Sequence, residues 1–109
     1  MNKFDRNKRL LKKVDYDAVF GKANKWVTSE FIFLYRNNDS GYARLGLAIS
    51  KKTIPKAHER NRVKRLLRET FRTTTLQALD IVVLAKRGLE RVSNPTLIAH
   101  LNKAWGKLG

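Results

Sequence analysis

The chain has 109 residues, the size of one ordinary domain, and its 24 Lys and Arg against 9 Asp and Glu give a formal net charge of +15. The absence of cysteine excludes disulfide bonds, thiolate zinc sites and thiol catalysis. The longest apolar runs, 31–35 and 81–85, have five residues each, whereas a membrane-spanning helix needs roughly twenty. Only Leu10 and Leu11 stand where a signal peptide needs its apolar region. We therefore expect a soluble cytoplasmic protein of one domain, 1–109.

The chain begins with a basic arm and a short helix. Residues 1–13 carry six Lys and Arg against Asp5, a local net charge of +5. Residues 15–20 are predicted to form a helix, with Gly21 placed to close it. Clustered charge of this kind favours a surface that meets polyanions, and the alternative is a basic face that is merely solvated.

The next segment predicts two strands. Residues 26–36 favour one strand, and the aromatic and aliphatic run 31–35 within it is typical of a strand buried on both faces. Residues 37–41 are turn formers, and residues 42–50 favour a second strand. We therefore expect the two strands to pair as an antiparallel hairpin.

The clearest helix is predicted over 55–72, with Pro55 in its first turn. The residues that recur at helical spacing on its apolar side are Val63, Leu66, Leu67, Thr70 and Phe71. The opposite arc carries Asn61, Lys64, Arg65, Arg68 and Arg72, and Arg60 stands at the border. Residues 51–72 have a local net charge of +7. One side of this helix is therefore expected to pack inward, and the other to present a basic surface.

The last third of the chain predicts a central strand and a final helix. Residues 81–85 form a β-branched apolar run, and Asp80 before them is interpreted as a structural cap or loop anchor. Ser93 or Asn94 is a suitable N-cap for a last helix whose apolar side includes Trp105. The order of helix, two or three strands, long helix, strand and helix predicts an α+β or α/β sandwich with a small mixed sheet. The long helix would connect two parallel strands, for which a right-handed crossover is the default.

The sequence offers little for catalysis by the protein itself. The two histidines, His58 and His100, stand in different predicted helices without a metal-ligand or triad spacing. The carboxylates are sparse, and Gly46 is isolated within a predicted strand, so no phosphate-binding glycine loop is present. We assign no catalytic residue to the protein.

Nucleic-acid binding fits the pattern better. The basic residues Lys56, Arg60, Lys64, Arg68 and Arg72 recur at every fourth position and would follow a phosphate backbone along one row of the helix. Tyr16, Phe20 and Tyr35 are candidates for stacking on unpaired bases, and packing in the core is the alternative for Phe20.

The segment 50–72 carries a longer motif, Ser50-Lys51-Lys52 followed by AHERNRVKRLLRETFR at 57–72. This motif resembles the RNR signature of the bacterial ribonuclease P protein subunit. Residues 15–20, 44–47 and 80–86 are similar to the family's first helix, its approach to the Ser-Lys-Lys run and its last strand. Tyr16 stands where the family often has Phe. The resemblance therefore covers nearly the whole chain.

The resemblance implies a fold and a function. The fold would be a compact α/β sandwich whose long-helix crossover between parallel strands is left-handed. The catalyst would be an RNA subunit that removes the 5′ leader of precursor tRNA by metal-assisted hydrolysis, with magnesium held chiefly by that RNA. The protein would be the cofactor of that RNA. Its partners would be the ribonuclease P RNA and precursor tRNA, and it would bind neither membranes nor DNA.

The resemblance also implies two groups of site residues. The RNA contacts expected from the resemblance are Ser50, Lys51, Lys52, Arg60, Asn61, Arg62, Lys64, Arg65 and Arg68, and the basic row of the helix adds Lys56 and Arg72. The expected cleft for the single-stranded leader, between the sheet and the first helix, is lined by Tyr16, Phe20 and Tyr35.

Two other functions share some of these features. A ribosomal or other structural RNA-binding protein has the same size and charge but lacks the RNR pattern. A DNA-binding module with 60–72 as its recognition helix needs a partner helix just upstream, whereas here a strand is predicted there.

Overall fold

The computed structural model describes residues 13–38, 41–74 and 78–108. The elements are α1 (Lys13–Lys22), β1 (Asn24–Val27), β2 (Phe31–Asn37), β3 (Arg44–Ala48), α2 (Ala57–Arg72), β4 (Leu79–Ala85), a short 3₁₀ helix (Leu89–Arg91) and α3 (Asn94–Leu108). The expected α+β sandwich with a small mixed sheet is confirmed. The predicted basic arm lies almost wholly outside the described residues.

The four strands form one sheet in the order β1-β2-β4-β3. β1 pairs antiparallel with β2, and β2 pairs antiparallel with β4 over seven residue pairs. β3 lies parallel to β4, and α2 connects these two strands, which confirms the expected crossover. The handedness of the crossover stays a prediction.

The expectation of one strand over 26–36 is wrong, because the chain turns between β1 and β2. Thr28 closes this turn: its backbone N–H and its hydroxyl both donate to the carbonyl oxygen of Phe31, at 2.9 and 3.2 Å, and its Oγ1 accepts from the Phe31 N–H at 3.0 Å. The Thr28 hydroxyl thus provides hydrogen-bond partners for the backbone N–H and carbonyl of Phe31, at the point where the chain turns into β2.

The expected hairpin between 26–36 and 42–50 is also wrong, because β4 lies between β2 and β3. Ile81, Val82 and Val83 of β4 are all 0% exposed. A strand that is apolar on both faces is most stable where it has a neighbour on each edge and a helix layer on each face. The prediction that 81–85 is the central strand is confirmed.

The larger core lies between the sheet and the pair α2–α3. All five residues predicted on the apolar side of α2 are buried there. Trp105 of α3 is 0% exposed, and its indole N–H donates to Thr70 Oγ1 of α2 at 2.8 Å. The Thr70 hydroxyl in turn donates to the Leu66 carbonyl at 2.8 Å, so the polar atoms at this helix contact are satisfied.

The opposite face of the sheet is covered by α1. Val19 of α1 and Val82 of β4, both fully buried, form a second and smaller apolar cluster. The helix predicted over 15–20 is confirmed, but it continues through Gly21 to Lys22. α2 begins at Ala57, two residues after Pro55, with Lys56 as its N-cap. Within the described ranges, no helix has the length and apolar character needed to cross a membrane.

Candidate nucleic-acid interface

The outer side of α2 presents cations from a helix whose inner side is fixed in the core. Leu67 is 0% exposed, whereas the Arg65 side chain is 59% exposed and its Nε lies 3.9 Å from a half-exposed Glu69 carboxylate oxygen. Asn61 and Arg72 are exposed, and Lys64 and Arg68 are partly buried. The helix therefore holds its basic side in one orientation, because rotation about its axis would expose the buried stripe.

Arg60 joins the start of α2 to the preceding loop. Its Nη1 donates to the carbonyl oxygens of Ile54 and Pro55, at 2.9 and 2.8 Å. Ile54 is itself 1% exposed, so the loop is fixed at its end by packing as well as by hydrogen bonds. Arg60 lies at the border of the basic surface, as predicted, and part of its guanidinium is used within the protein.

The Ser-Lys-Lys run lies in a turn beside the N-terminus of α2. The backbone N–H groups of Thr53 and Ile54 both donate to the Ser50 carbonyl, at 3.2 and 3.0 Å, and the Ser50 hydroxyl lies 3.0 Å from that of Thr53. Lys51 and Lys52 are exposed at the tip of this turn, and the exposed Lys56 follows at the helix cap. We call the predicted residues of 50–56, together with the outer side of α2, the RNR surface.

Arg62 differs from the other predicted RNA contacts, because its guanidinium is directed into the protein. Nη2 donates to the Leu89 carbonyl and Nη1 to the Val92 carbonyl, both at 3.1 Å, and Nη1 also donates to the side-chain oxygen of Asn94. Nε donates to the Glu59 carboxylate at 3.2 Å. With 18% of its side chain exposed, Arg62 connects α2 to the segment that begins α3.

A second surface lies where α1 crosses the sheet. Tyr16 is partly buried against the Val19–Val82 cluster, and Phe20 is 49% exposed. A Cβ built at Gly46 would lie 2.9 Å from the Cε1, Cζ and Oη atoms of Tyr16, so only glycine lets the ring lie against β3 where it does. We call this surface, formed by Tyr16, Phe20 and Gly46, the α1 cleft.

Tyr35 does not share the α1 cleft. It packs against the larger core on the α2–α3 side of the sheet, together with Phe33, whereas Leu34 packs against the cluster beneath α1. Side chains alternate between the two faces along a strand, so Tyr35 and Leu34 point to opposite sides. The expectation that Tyr35 lines the cleft with Tyr16 is therefore wrong in this structure.

Asp80 is the anchor that the sequence predicted. It is 5% exposed, and it accepts hydrogen bonds from Arg44 at 2.8 and 2.7 Å and from Asn38 at 2.7 Å. These contacts join the C-terminal end of β2 to the start of β3 and satisfy a carboxylate that would be costly to bury alone. The sequence pattern identified Asp80 but neither of its partners.

Sequence reasoning missed the role of Gly46, which it had considered only as part of a possible phosphate loop. A glycine inside a strand often marks a close approach of another group, and this was the available signal. The two histidines are exposed: 74% of the His58 side chain is accessible, and His100 Nδ1 lies 2.8 Å from a Glu30 carboxylate oxygen.

Comparisons with known proteins agree on one family. A family model described as Ribonuclease P matches residues 4–109. A relative from Legionella pneumophila named "Ribonuclease P protein component" is 58% identical over 105 residues, covering 96% of this chain and 92% of that protein. A relative of the same name from Pseudoalteromonas atlantica is 44% identical over 109 residues, covering 98% of this chain and 91% of that protein.

Solved structures give the same result. The RNase P protein of Staphylococcus aureus superposes with a TM-score of 0.81 at 26% identity, covering 94% of this chain and 98% of that one. The RNase P protein of Thermotoga maritima superposes with a TM-score of 0.72 at 31% identity, covering 87% and 96% of the two chains.

Proposed function

The chain belongs to the ribonuclease P protein family, and from this we propose that it is the protein cofactor of a tRNA-processing endoribonuclease. In this role it binds the catalytic RNA subunit and the single-stranded 5′ leader of precursor tRNA, and it promotes removal of the leader. The observation that carries the proposal is the RNR surface, in which a helix fixed by its buried side presents its cations outward.

The RNR surface is proposed to bind the catalytic RNA. Lys and Arg side chains neutralise phosphates and release condensed counterions, which supplies affinity without base recognition. The contacts are proposed for Ser50, Lys51, Lys52, Lys56, Arg60, Asn61, Lys64, Arg65, Arg68 and Arg72. Arg62 is proposed to act indirectly, by fixing α2 against the segment at 89–94.

The α1 cleft is proposed to bind the leader. An unpaired base can stack on the half-exposed ring of Phe20 or along Tyr16, and such stacking contributes roughly 1–3 kcal/mol per base. Because mature tRNA lacks the leader, a protein that binds both the leader and the ribozyme binds precursor tRNA more tightly than mature tRNA. Product release is then easier than substrate release.

Catalysis is proposed to belong to the RNA. The described residues contain no group of three or more His, Asp and Glu side chains arranged to hold a metal ion. The buried carboxylate, that of Asp80, already accepts hydrogen bonds from Arg44 and Asn38. These side chains do not fit a magnesium site, and we propose that the magnesium that hydrolysis requires is bound by RNA.

The charge of the protein is proposed to assist assembly. Ribozyme and precursor tRNA are both polyanions and repel each other, and a chain of formal charge +15 reduces that repulsion where it lies between them. We propose the cytoplasm, where bacterial tRNA precursors are made, as the site of this reaction.

Reconstitution tests the proposed function. The chain is combined with its cognate ribonuclease P RNA at low magnesium, and cleavage of precursor tRNA is compared with that by the RNA alone. We expect faster cleavage and a lower magnesium requirement with the protein. No stimulation, together with co-sedimentation with ribosomal subunits, would instead support a structural RNA-binding protein.

A further inference from the structure

The β1–β2 hairpin and α3 border a groove of about 220 Å³ on the side of the sheet opposite α1. Its lining includes Trp26, Phe33, Glu30, His100, Lys103 and Lys107. We call it the hairpin–α3 groove. It shares no residue with the RNR surface or with the α1 cleft.

One wall of the groove is a fixed aromatic surface. The half-buried indole of Trp26 stacks on Phe33 with ring centroids 5.3 Å apart and an interplanar angle of 26°. Phe33 in turn meets the buried ring of Trp105 edge-on at 5.5 Å. The Trp26 ring is therefore held in place before any ligand arrives, so that stacking on it costs little further ordering.

The rim of the groove is cationic. Lys103 and Lys107 are exposed and one helical turn apart on α3, which separates them by about 6 Å along the helix axis. The acidic group at the rim, Glu30, is 12% exposed and is engaged by His100 at 2.8 Å. The two lysines are thus the charges that face an incoming ligand.

We propose that the hairpin–α3 groove is a second binding site for single-stranded RNA. It takes one unstacked base against Trp26 and the adjoining phosphates on Lys103 and Lys107. The charge of the rim and the flat apolar wall together match a nucleotide. At about 220 Å³ the groove is smaller than pockets that enclose a whole drug-sized ligand, roughly 300–1,000 Å³, and it suits a single ring with its phosphates outside.

Titration of the isotope-labelled full-length chain with single-stranded tetra-adenylate RNA tests this site by NMR. The sequence contains two tryptophans, so the two indole N–H signals report separately. We expect the Trp26 signal to shift with saturation, while the signal of Trp105, whose N–H is buried and bonded to Thr70, stays in place. RNA bound in the α1 cleft would move neither.

Two variants separate the charges from the stacking wall. Lys103→Ala with Lys107→Ala removes two exposed side chains, and the slope of log affinity against log salt, read from Trp26, should fall by about 1.4, or about 0.7 for each lost phosphate contact. Trp26→Leu should weaken binding, read from the Lys103 backbone amide, by roughly 5- to 150-fold. The control is Lys25→Ala. Lys25 is exposed, and it points to the face of the sheet opposite to its neighbour Trp26, so its loss leaves the groove unchanged.

Two results would overturn the proposal. The first is a Trp26 signal that does not move at RNA concentrations that saturate the rest of the protein. The second is a weakening by Lys25→Ala that is half or more of that by the double lysine variant, which would mean that each lost charge counts equally and that the attraction is diffuse. Either result leaves the proposed cofactor role intact, because that role is tested by cleavage and depends on other surfaces.

Discussion

Gly46 controls how closely α1 approaches the sheet. In Gly46→Ala the new Cβ would lie 2.9 Å from three atoms at the end of the Tyr16 side chain, so that the ring must move. We expect weaker binding of precursor tRNA, by up to about 1–3 kcal/mol, because a stacking surface in the α1 cleft is displaced. Binding of mature tRNA, which lacks the leader, should be unchanged.

Gly21→Ala is the matched control for this substitution. A Cβ at Gly21 meets no atom within 4 Å, and the residue lies within α1. Replacing this helical glycine should stabilise the fold by about 0.5–1 kcal/mol and leave leader binding unchanged. If both glycine variants bound precursor like the unaltered chain, Tyr16 would have no part in leader recognition.

Arg62 is expected to act on stability rather than on RNA contact. Arg62→Ala removes the donors to the Leu89 and Val92 carbonyls and to the Glu59 carboxylate, and should lower the free energy of unfolding by about 2–3 kcal/mol in urea denaturation. Arg62→Lys should restore little of this, because an ammonium cannot reproduce the planar fork of donors.

Arg65→Ala is the control for charge on the same helix. The Arg65 side chain is 59% exposed, so its loss should leave stability within about 0.5 kcal/mol while weakening RNA binding. If Arg62→Ala left the stability unaltered and lowered the affinity for RNA, Arg62 would contact RNA directly and would not act through the fold.

The contrast between these two arginines shows what residue patterns can predict. Position along the helix gave the exposure of Arg65 correctly, since a period of 3.6 residues fixes which side it occupies. Glu59 is a local partner of Arg62, but its three other partners lie 27, 30 and 32 residues later in the chain, so no local pattern could indicate them. Asp80 is similar: its role as an anchor at a strand start was predicted, and its partners 36 and 42 residues away were not.

At the scale of elements, the buried side of α2 is expected to hold the RNR surface in position. Leu67→Ala removes a side chain that is 0% exposed in the core, and it should lower the free energy of unfolding by about 2–5 kcal/mol. Thermal or urea denaturation measures this loss. A variant that melts like the unaltered chain would show that the inner face of α2 has been assigned wrongly.

The outer side of α2 is expected to set the salt dependence of RNA binding. Arg65→Ala with Arg68→Ala should reduce the slope of log affinity against log salt by about 0.7–0.9 for each phosphate contact that is lost. Affinity for the ribonuclease P RNA, measured at several salt concentrations, gives this slope. An unchanged slope would count against contact between these arginines and RNA.

Helices were more predictable than strand pairing. α2 and α3 follow from apolar residues repeated along one side, and both began within two residues of the expected positions. The division into β1 and β2 falls at the polar residues 28–30, where the hydroxyl of Thr28 closes the turn. The partner of β3 could not be predicted locally, because β4 lies more than thirty residues further along the chain.

At the scale of the whole molecule, the sheet cannot be completed without its last strand. A chain that ends at residue 78 lacks β4 and α3, and β3 then loses the strand with which it pairs. We expect this shortened chain to show no cooperative thermal transition by circular dichroism, in contrast to the full chain. A cooperative transition in the shortened chain would mean that α1, β1, β2 and α2 form a stable core without β4.

The single layer of strands also places the two proposed binding sites for single-stranded RNA on opposite sides of the molecule. The α1 cleft lies on one face, and the hairpin–α3 groove lies on the other. Clustered charge in the sequence predicted the RNR surface, but the separation of Tyr16 from Tyr35 required the strand register. The local charge at 51–72 therefore located an exposed basic surface, whereas the aromatic residues Tyr16 and Tyr35 lie on opposite faces of the sheet.

The late position of β4 in the chain has a consequence for biosynthesis. A ribosome releases the polypeptide from its N-terminus onward, so the cationic stretch at 51–72 emerges before the strand that will complete the sheet beneath it. During that interval the nascent segment is basic and lacks its final support, and it lies close to the RNA of the ribosome itself. We therefore expect the basic segment to be able to bind RNA before the protein has folded. The rate at which the ribosome synthesises residues 79–85 decides whether folding or RNA binding occurs first.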